Sequence, residues 1–200
     1  MKIGIVDYGC GNISNVIKSL NKIGAKCGII EKKEDLLDFE KIILPGMGCP
    51  STAIKVLKKK KLNTYIKKFN DNSNPILGIC LGFQLALQNY ELTNNHQIKC
   101  LSLIKGTVKR LNFEKIPLPI INWLKVKNIR KKKDLHNKEF YFAHQYYCDL
   151  NDNIKNISFV ELNNKKIISS YEKKNLYFYQ FHPELSGDNG LNLLKKFKEI

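Results

Sequence analysis

The chain has 200 residues, 34 of them basic and 18 acidic, a formal net charge of +16, and a hydrophobic fraction of 43%. That is enough for one domain with a sizeable core, and no apolar run approaches the roughly 18–20 residues of a membrane helix. The lysines spread along the whole chain, with short runs only at 58–61 and 130–133 and no interleaved aromatics, so a solvated basic surface fits better than a nucleic-acid platform.

The start, MKIGIVDYG, goes straight into a strand and a glycine turn rather than a leader, so a cytoplasmic location is expected. Residues 2–6 read as a buried strand. Ile13, Val16, Ile17, Leu20 and Ile23 then recur at helical spacing, with Asn12 or Ser14 as cap and Gly24 as stop. Residues 25–30 and 41–44 read as further strands, the latter ending at Pro45-Gly46-Met47-Gly48. Ser51 or Thr52 should cap one long helix with Ile54, Leu57, Leu62, Tyr65, Ile66 and Phe69 on its apolar face. Pro75 to Cys80 is an apolar strand, and Phe83, Leu85, Ala86 and Leu87 a helix face after it.

Beyond residue 90 the pattern changes. Short β-rich pieces fill 97–127, a polar turn 125–138, and aromatic strand 140–148. Three more strands follow at 157–162, 166–171 and 176–181, then a last helix at 191–197. Strands joined by helical crossovers imply an α/β fold: a single domain over 1–200 with a mixed, mostly parallel sheet flanked by helices and a β-rich second half.

Six cysteines are present, at 10, 27, 49, 80, 100 and 148. None forms a CxxC pair, and no His lies at metal-ligand spacing, so neither a metal nor a cofactor is expected. Cys27 and Cys100 read as small buried apolar residues. Cys80 differs, because it sits between Gly78 and Gly82 where a strand passes into a helix. That is the geometry of a nucleophile elbow.

A thiol nucleophile needs a base and a group that orients the base. Of the four histidines, His96 and His136 lie in polar stretches, and His144 follows aromatic strand residues. His182 ends a strand directly before Pro183, which holds it extended. Glu184, two residues on, can accept a hydrogen bond from the ring. For the oxyanion, the backbone N–H of Leu81 is one donor, and the turn Gly46-Met47-Gly48 can supply another.

GICLGFQ and FHPE together resemble the two signatures of the class I, triad-type glutamine amidotransferases. Asp7-Tyr8-Gly9-Cys10-Gly11-Asn12, Pro45-Gly46-Met47-Gly48 and Phe142-Ala143-His144-Gln145-Tyr146 sharpen this toward the glutaminase subunits of imidazole glycerol phosphate synthases. The resemblance implies Cys80 as nucleophile, His182 as base and acid, and Glu184 as orienter. It implies that Gln84 contacts glutamine and that the backbone at Gln145 and Tyr146 holds the substrate's α-carboxylate. It also implies transfer of the ammonia to a separate (β/α)₈-barrel synthase or cyclase subunit in a heterodimer, docked through Tyr8, Gly9, Gly11, Asn12 and Trp123.

The chain departs from the family pattern at Pro50, at Pro119-Ile120-Ile121-Asn122-Trp123-Leu124 and at Leu185, and not at the triad. A paralogous subunit feeding ammonia to a sugar-modifying synthase for surface polysaccharide therefore stands as the alternative acceptor pathway.

Overall fold

The computed structural model describes residues 2–92, 96–113, 116–150 and 154–200. It begins with β1 (Lys2–Val6), buried at every position after Lys2. In α1 (Ile13–Lys22) the Asn12 side chain accepts the Asn15 N–H at 3.3 Å, the cap the sequence indicates. β2 (Lys26–Ile30) and the fully buried β3 (Lys41–Leu44) follow. The expected long helix is two helices, α2 (Pro50–Lys59) and α3 (Leu62–Asp71), because Lys61 turns the chain with φ 57°. The lysine run offers no apolar face to carry one helix through. α2 buries Ala53, Ile54 and Leu57, and α3 buries Leu62, Ile66 and Phe69. α2 also starts earlier than Ser51, with Cys49 at the cap position and Pro50 first, where a missing N–H costs nothing. β4 (Ile76–Ile79) and the short α4 (Leu81–Ala86) complete the first half.

The second half runs β5 (Asn89–Glu91), β6 (Gln97–Lys99), β7 (Gly106–Arg110), β8 (Ile120–Lys125), β9 (Lys127–Asn128), β10 (Glu139–His144), β11 (Tyr146–Leu150), β12 (Ile157–Leu162), β13 (Lys165–Lys173), β14 (Leu176–Tyr179) and α5 (Gly187–Glu199). The aromatic strand expected at 140–148 is divided at Gln145 into β10 and β11. The segment 125–138 is not simply an exposed turn: it contains β9 and buries Val126 and Leu135.

Among the described residues, the main sheet has eight strands in the order β2-β1-β3-β4-β14-β13-β12-β9. β2, β1, β3, β4 and β14 run parallel, and β13, β12 and β9 continue antiparallel. β11-β7-β5-β6 form a second sheet, and β10 pairs with β8. One core holds α2, α3 and the second sheet, and the other holds α1, α5 and Phe140 and Phe142 of β10. β4 serves both, Ile76 facing the first and Leu77 and Ile79 the second. Buried Lys41 reaches across to the end of α5, its ammonium donating to the carbonyls of Phe197 and Lys198 at 3.1 and 2.7 Å. A cation suits the carbonyls that a helix end leaves unpaired.

The loops after β1, β3, β4 and β14 all leave the carboxyl ends of neighbouring parallel strands. Such sheets build their sites at this edge.

Candidate active site

Cys80 follows β4 with φ 44° and ψ −100°, a backbone that costs a non-glycine residue roughly 1–3 kcal/mol. Its N–H donates to Tyr179 O at 2.7 Å, and its carbonyl accepts the Gln84 N–H at 3.0 Å, which holds the sharp turn from strand to helix. The flanking glycines act through closeness. A Cβ on Gly82 would lie 2.0 Å from the Leu44 carbonyl oxygen, and one on Gly78 2.3 Å from the Phe178 ring.

His182 leaves β14 in extended geometry ahead of Pro183, as the proline requires. Its N–H donates to Tyr141 O at 2.9 Å, and the Ser186 hydroxyl donates to its carbonyl at 2.6 Å. Ser186 Oγ accepts the Tyr141 N–H at 3.0 Å, so one hydroxyl ties β10 to the histidine. His182 Nδ1 lies 2.8 Å from Glu184 Oε1, both side chains being 1% exposed. The carboxylate accepts, so Nδ1 carries the proton and Nε2 is left for chemistry. Nε2 is buried and makes no conventional hydrogen bond. Burial alone would lower the pKa of His182; the neighbouring Cys80 and Glu184 outweigh it and raise it to about 10.

Gly46 presses on the elbow, and a Cβ there would stand 2.2 Å from Ile79 O and 3.0 Å from Cys80 Cβ. Gly48 takes φ 123° against the side chain of Cys10, a conformation that side chains rarely adopt. A cleft of about 490 Å³ opens here. Gly46, Met47 and Gly48 form one wall, Cys80, Leu81 and Gln84 the floor, and residues 143–146 the other wall. Every residue expected to bind substrate or oxyanion therefore lines one space with Cys80. Both N–H groups of Gln84 are committed, to Tyr146 O at 3.1 Å and to Gln180 Oε1 at 3.2 Å.

The residues expected at a docking surface divide. Gly9 is exposed, Gly11 and Asn12 are half-buried, and Trp123 is 47% exposed with its ring edge-on to Tyr141. Tyr8 is different: it is fully buried and its hydroxyl donates to the Pro45 carbonyl. It braces the turn at 46–48 and meets no surface. Cys27 and Cys100 are only partly buried.

Two site residues escape the sequence. Gln180, just past the end of β14 and two positions before His182, is buried against Cys80, and its signal was a lone polar residue in an apolar run. His144 is buried in the cleft wall, with Nδ1 2.8 Å from Tyr146 O and Nε2 without a partner. Burial, opposed by the Tyr146 carbonyl and reinforced by His182, lowers the His144 pKa from 6.5 to about 4. The unfolded chain binds this proton more readily, so stability falls as pH drops from 6.5 to about 4. The expected loss is roughly 3 kcal/mol. His182, with a raised pKa, contributes its full stabilisation below 6.5 and loses it only as pH rises toward about 10, so it leaves this window undisturbed. Urea unfolding of wild type and His144→Gln at pH 6.5 and 4.5 checks this, and equal pH sensitivity would refute it.

A strained thiol elbow, a carboxylate-held histidine and a glycine turn at adjoining strand ends are the arrangement of a triad amidotransferase. The chain belongs to the class I glutamine amidotransferase family, whose family model, Glutamine amidotransferase class-I, matches residues 4–199. Within that family it is 38% identical over 205 residues to the imidazole glycerol phosphate synthase subunit HisH of Blochmanniella floridana, covering 100% of both chains. It is 35% identical to HisH of Bacillus cereus, over 99% of this chain and 94% of the relative. The fold is that of a glutamine amidotransferase crystal structure, with a TM-score of 0.76 at 17% identity and 99% of each chain covered. PurLQS from Thermotoga maritima gives 0.74 at 19% identity, over 99% of this chain and 97% of that one.

Proposed function

We propose that the chain is the glutaminase subunit of an imidazole glycerol phosphate synthase, a single amidotransferase domain working in the cytoplasm. The observation that carries this is the cleft that Cys80 lines, with the buried His182–Glu184 pair beside that cysteine, in a chain so similar to HisH subunits. The Cys80 thiolate attacks the side-chain amide carbon of glutamine. The oxygen, now negative, is met by the Leu81 N–H and the turn at 46–48. His182 gives its Nε2 proton to the departing nitrogen, and ammonia leaves a thioester behind. Neutral Nε2 then takes a proton from water as the oxygen attacks the thioester, so glutamate departs and the thiolate–imidazolium pair returns. Glu184 holds the ring throughout. Gln84, its donors spent on the protein, offers substrate its oxygen, and the backbone at Gln145 and Tyr146 holds the α-carboxylate.

Ammonia passes to a (β/α)₈-barrel cyclase subunit. The apolar groups bared beside the cleft support such a partner: Met47 is 47%, Ile121 62% and Trp123 47% exposed. Purification of the native complex, with glutaminase assays of the chain alone and with its partner, tests both parts. The expected result is a histidine-pathway cyclase that raises glutamine hydrolysis at least about tenfold, since closure on a partner completes such sites. Recovery of a sugar-modifying synthase, or full activity of the isolated chain, would overturn it.

A further inference from the structure

The register of the main sheet pairs Tyr179 with Ile79, so the next residues along the parallel strands, Gln180 and Cys80, stand side by side at the strand ends. Gln180 is wholly buried, and its Nε2 lies 3.5 Å from Cys80 Sγ. Three contacts decide which end of its amide faces the sulfur. Tyr146 O can only accept, so the group of Gln84 at 3.1 Å from it is the Nε2 donor. That same nitrogen lies 3.2 Å from Gln180, which must therefore present Oε1. The Cys148 thiol also points at Oε1, from 3.9 Å. Burial raises the Cys148 pKa well above its ordinary value, which keeps that thiol a donor. A flipped amide would set donor against donor at Gln84 and lose the acceptor that Cys148 points at, so its N–H is directed at Cys80.

Resting on the assignment of Cys80 as nucleophile, we propose that Gln180 is a further catalytic residue of this reaction, its side-chain N–H donating to Cys80 Sγ and holding it as thiolate. The sulfur has reason to need it. On its other side Sγ lies 3.9 Å from the Ala143 carbonyl oxygen, which accepts from a thiol and repels a thiolate. The imidazolium of His182 favours the thiolate, but that proton is given to the leaving nitrogen during turnover. The Gln180 amide, which does not titrate, remains a donor when the thiolate is displaced from the thioester and re-forms. It is thus a permanent counterpart to the transient charge on His182, and Gln84, by fixing it, links the substrate pocket to the nucleophile.

The test is the pH profile of Cys80 alkylation by iodoacetamide in the full chain, each cysteine quantified separately by peptide mass spectrometry. Gln180→Leu should move the Cys80 midpoint upward by about one unit, slowing its alkylation about tenfold on the acid side, as expected for a lost hydrogen bond to a charged group. Gln180→Asn, which keeps an amide but withdraws it from the sulfur, should shift the profile the same way even if the leucine variant folds poorly. Cys49, exposed and outside this network, serves as the internal reference. In the partnered enzyme kcat should fall more than the KM for glutamine rises. A wild-type Cys80 profile in either folded variant would overturn the proposal. Glutaminase activity persisting in Cys80→Ala would instead overturn the nucleophile assignment, and the alkylation shift would still be read independently.

Discussion

Replacing Cys80 with alanine is expected to lower glutamine-dependent turnover of the partnered enzyme at least about 10⁴-fold, with ammonia-dependent turnover intact. Two neighbouring thiols are held away from the elbow. Cys148 is buried behind Gln180, and Cys10 packs against Gly48 on the far side of the turn. Free ammonia bypasses the chain's chemistry, so its use by the partner shows that the partner's own site is intact, and co-elution of the two chains shows that the complex still assembles. The fold should survive, because only one small sulfur leaves the edge of a cleft. Glu184→Gln should be milder, about 10²–10⁴-fold, since the amide oxygen can still accept from Nδ1 while the charge that favours the imidazolium is gone. Glutamate release under saturating glutamine checks both. Retained hydrolysis in Cys80→Ala, or equal losses in the two variants, would contradict the assigned roles.

The parts of this site that the sequence shows are those set by local chemistry. A cysteine between glycines, a histidine ahead of proline and a glycine turn after an apolar strand each declare themselves within a few residues. The strands β1, β3 and β4 and helix α1 are equally plain, because their apolar spacing matches one period. What stayed hidden depends on register or on long-range burial. Gln180 acquires meaning only when β14 lies beside β4 with Tyr179 opposite Ile79. Tyr8, in a loop that reads as surface, is buried because its hydroxyl reaches Pro45, 37 residues away. The division of α2 from α3 turns on a left-handed lysine that no apolar pattern marks. Val126 and Leu135 are lost among lysines, although both are core residues.

Gly46→Ala is expected to lower kcat at least about 10²-fold, the cost of misplacing reacting groups by about an ångström. The sequence suggests that this glycine supplies backbone freedom; the structure gives it another task. An added Cβ meets Ile79 O at 2.2 Å and Cys80 Cβ at 3.0 Å. Neither atom is the loose end of a side chain, so either the turn at 46–48 or the end of β4 must move. Moving the turn displaces the proposed oxyanion donors, and moving β4 displaces the proposed nucleophile. Overpacking of this kind also costs about 1–3 kcal/mol of stability, so the melting temperature should fall as well. Gly187→Ala separates the two effects. Gly187 has φ 55° with nothing near its absent Cβ, so alanine there costs about 1 kcal/mol through backbone strain alone and leaves turnover unchanged. Thermal melts and steady-state glutaminase assays of both variants distinguish them: if Gly46→Ala loses stability but keeps wild-type kcat, the turn does not position the oxyanion donors. The expected split, with both variants destabilised and only one inactive, would locate the function of Gly46 in the contact between turn and elbow.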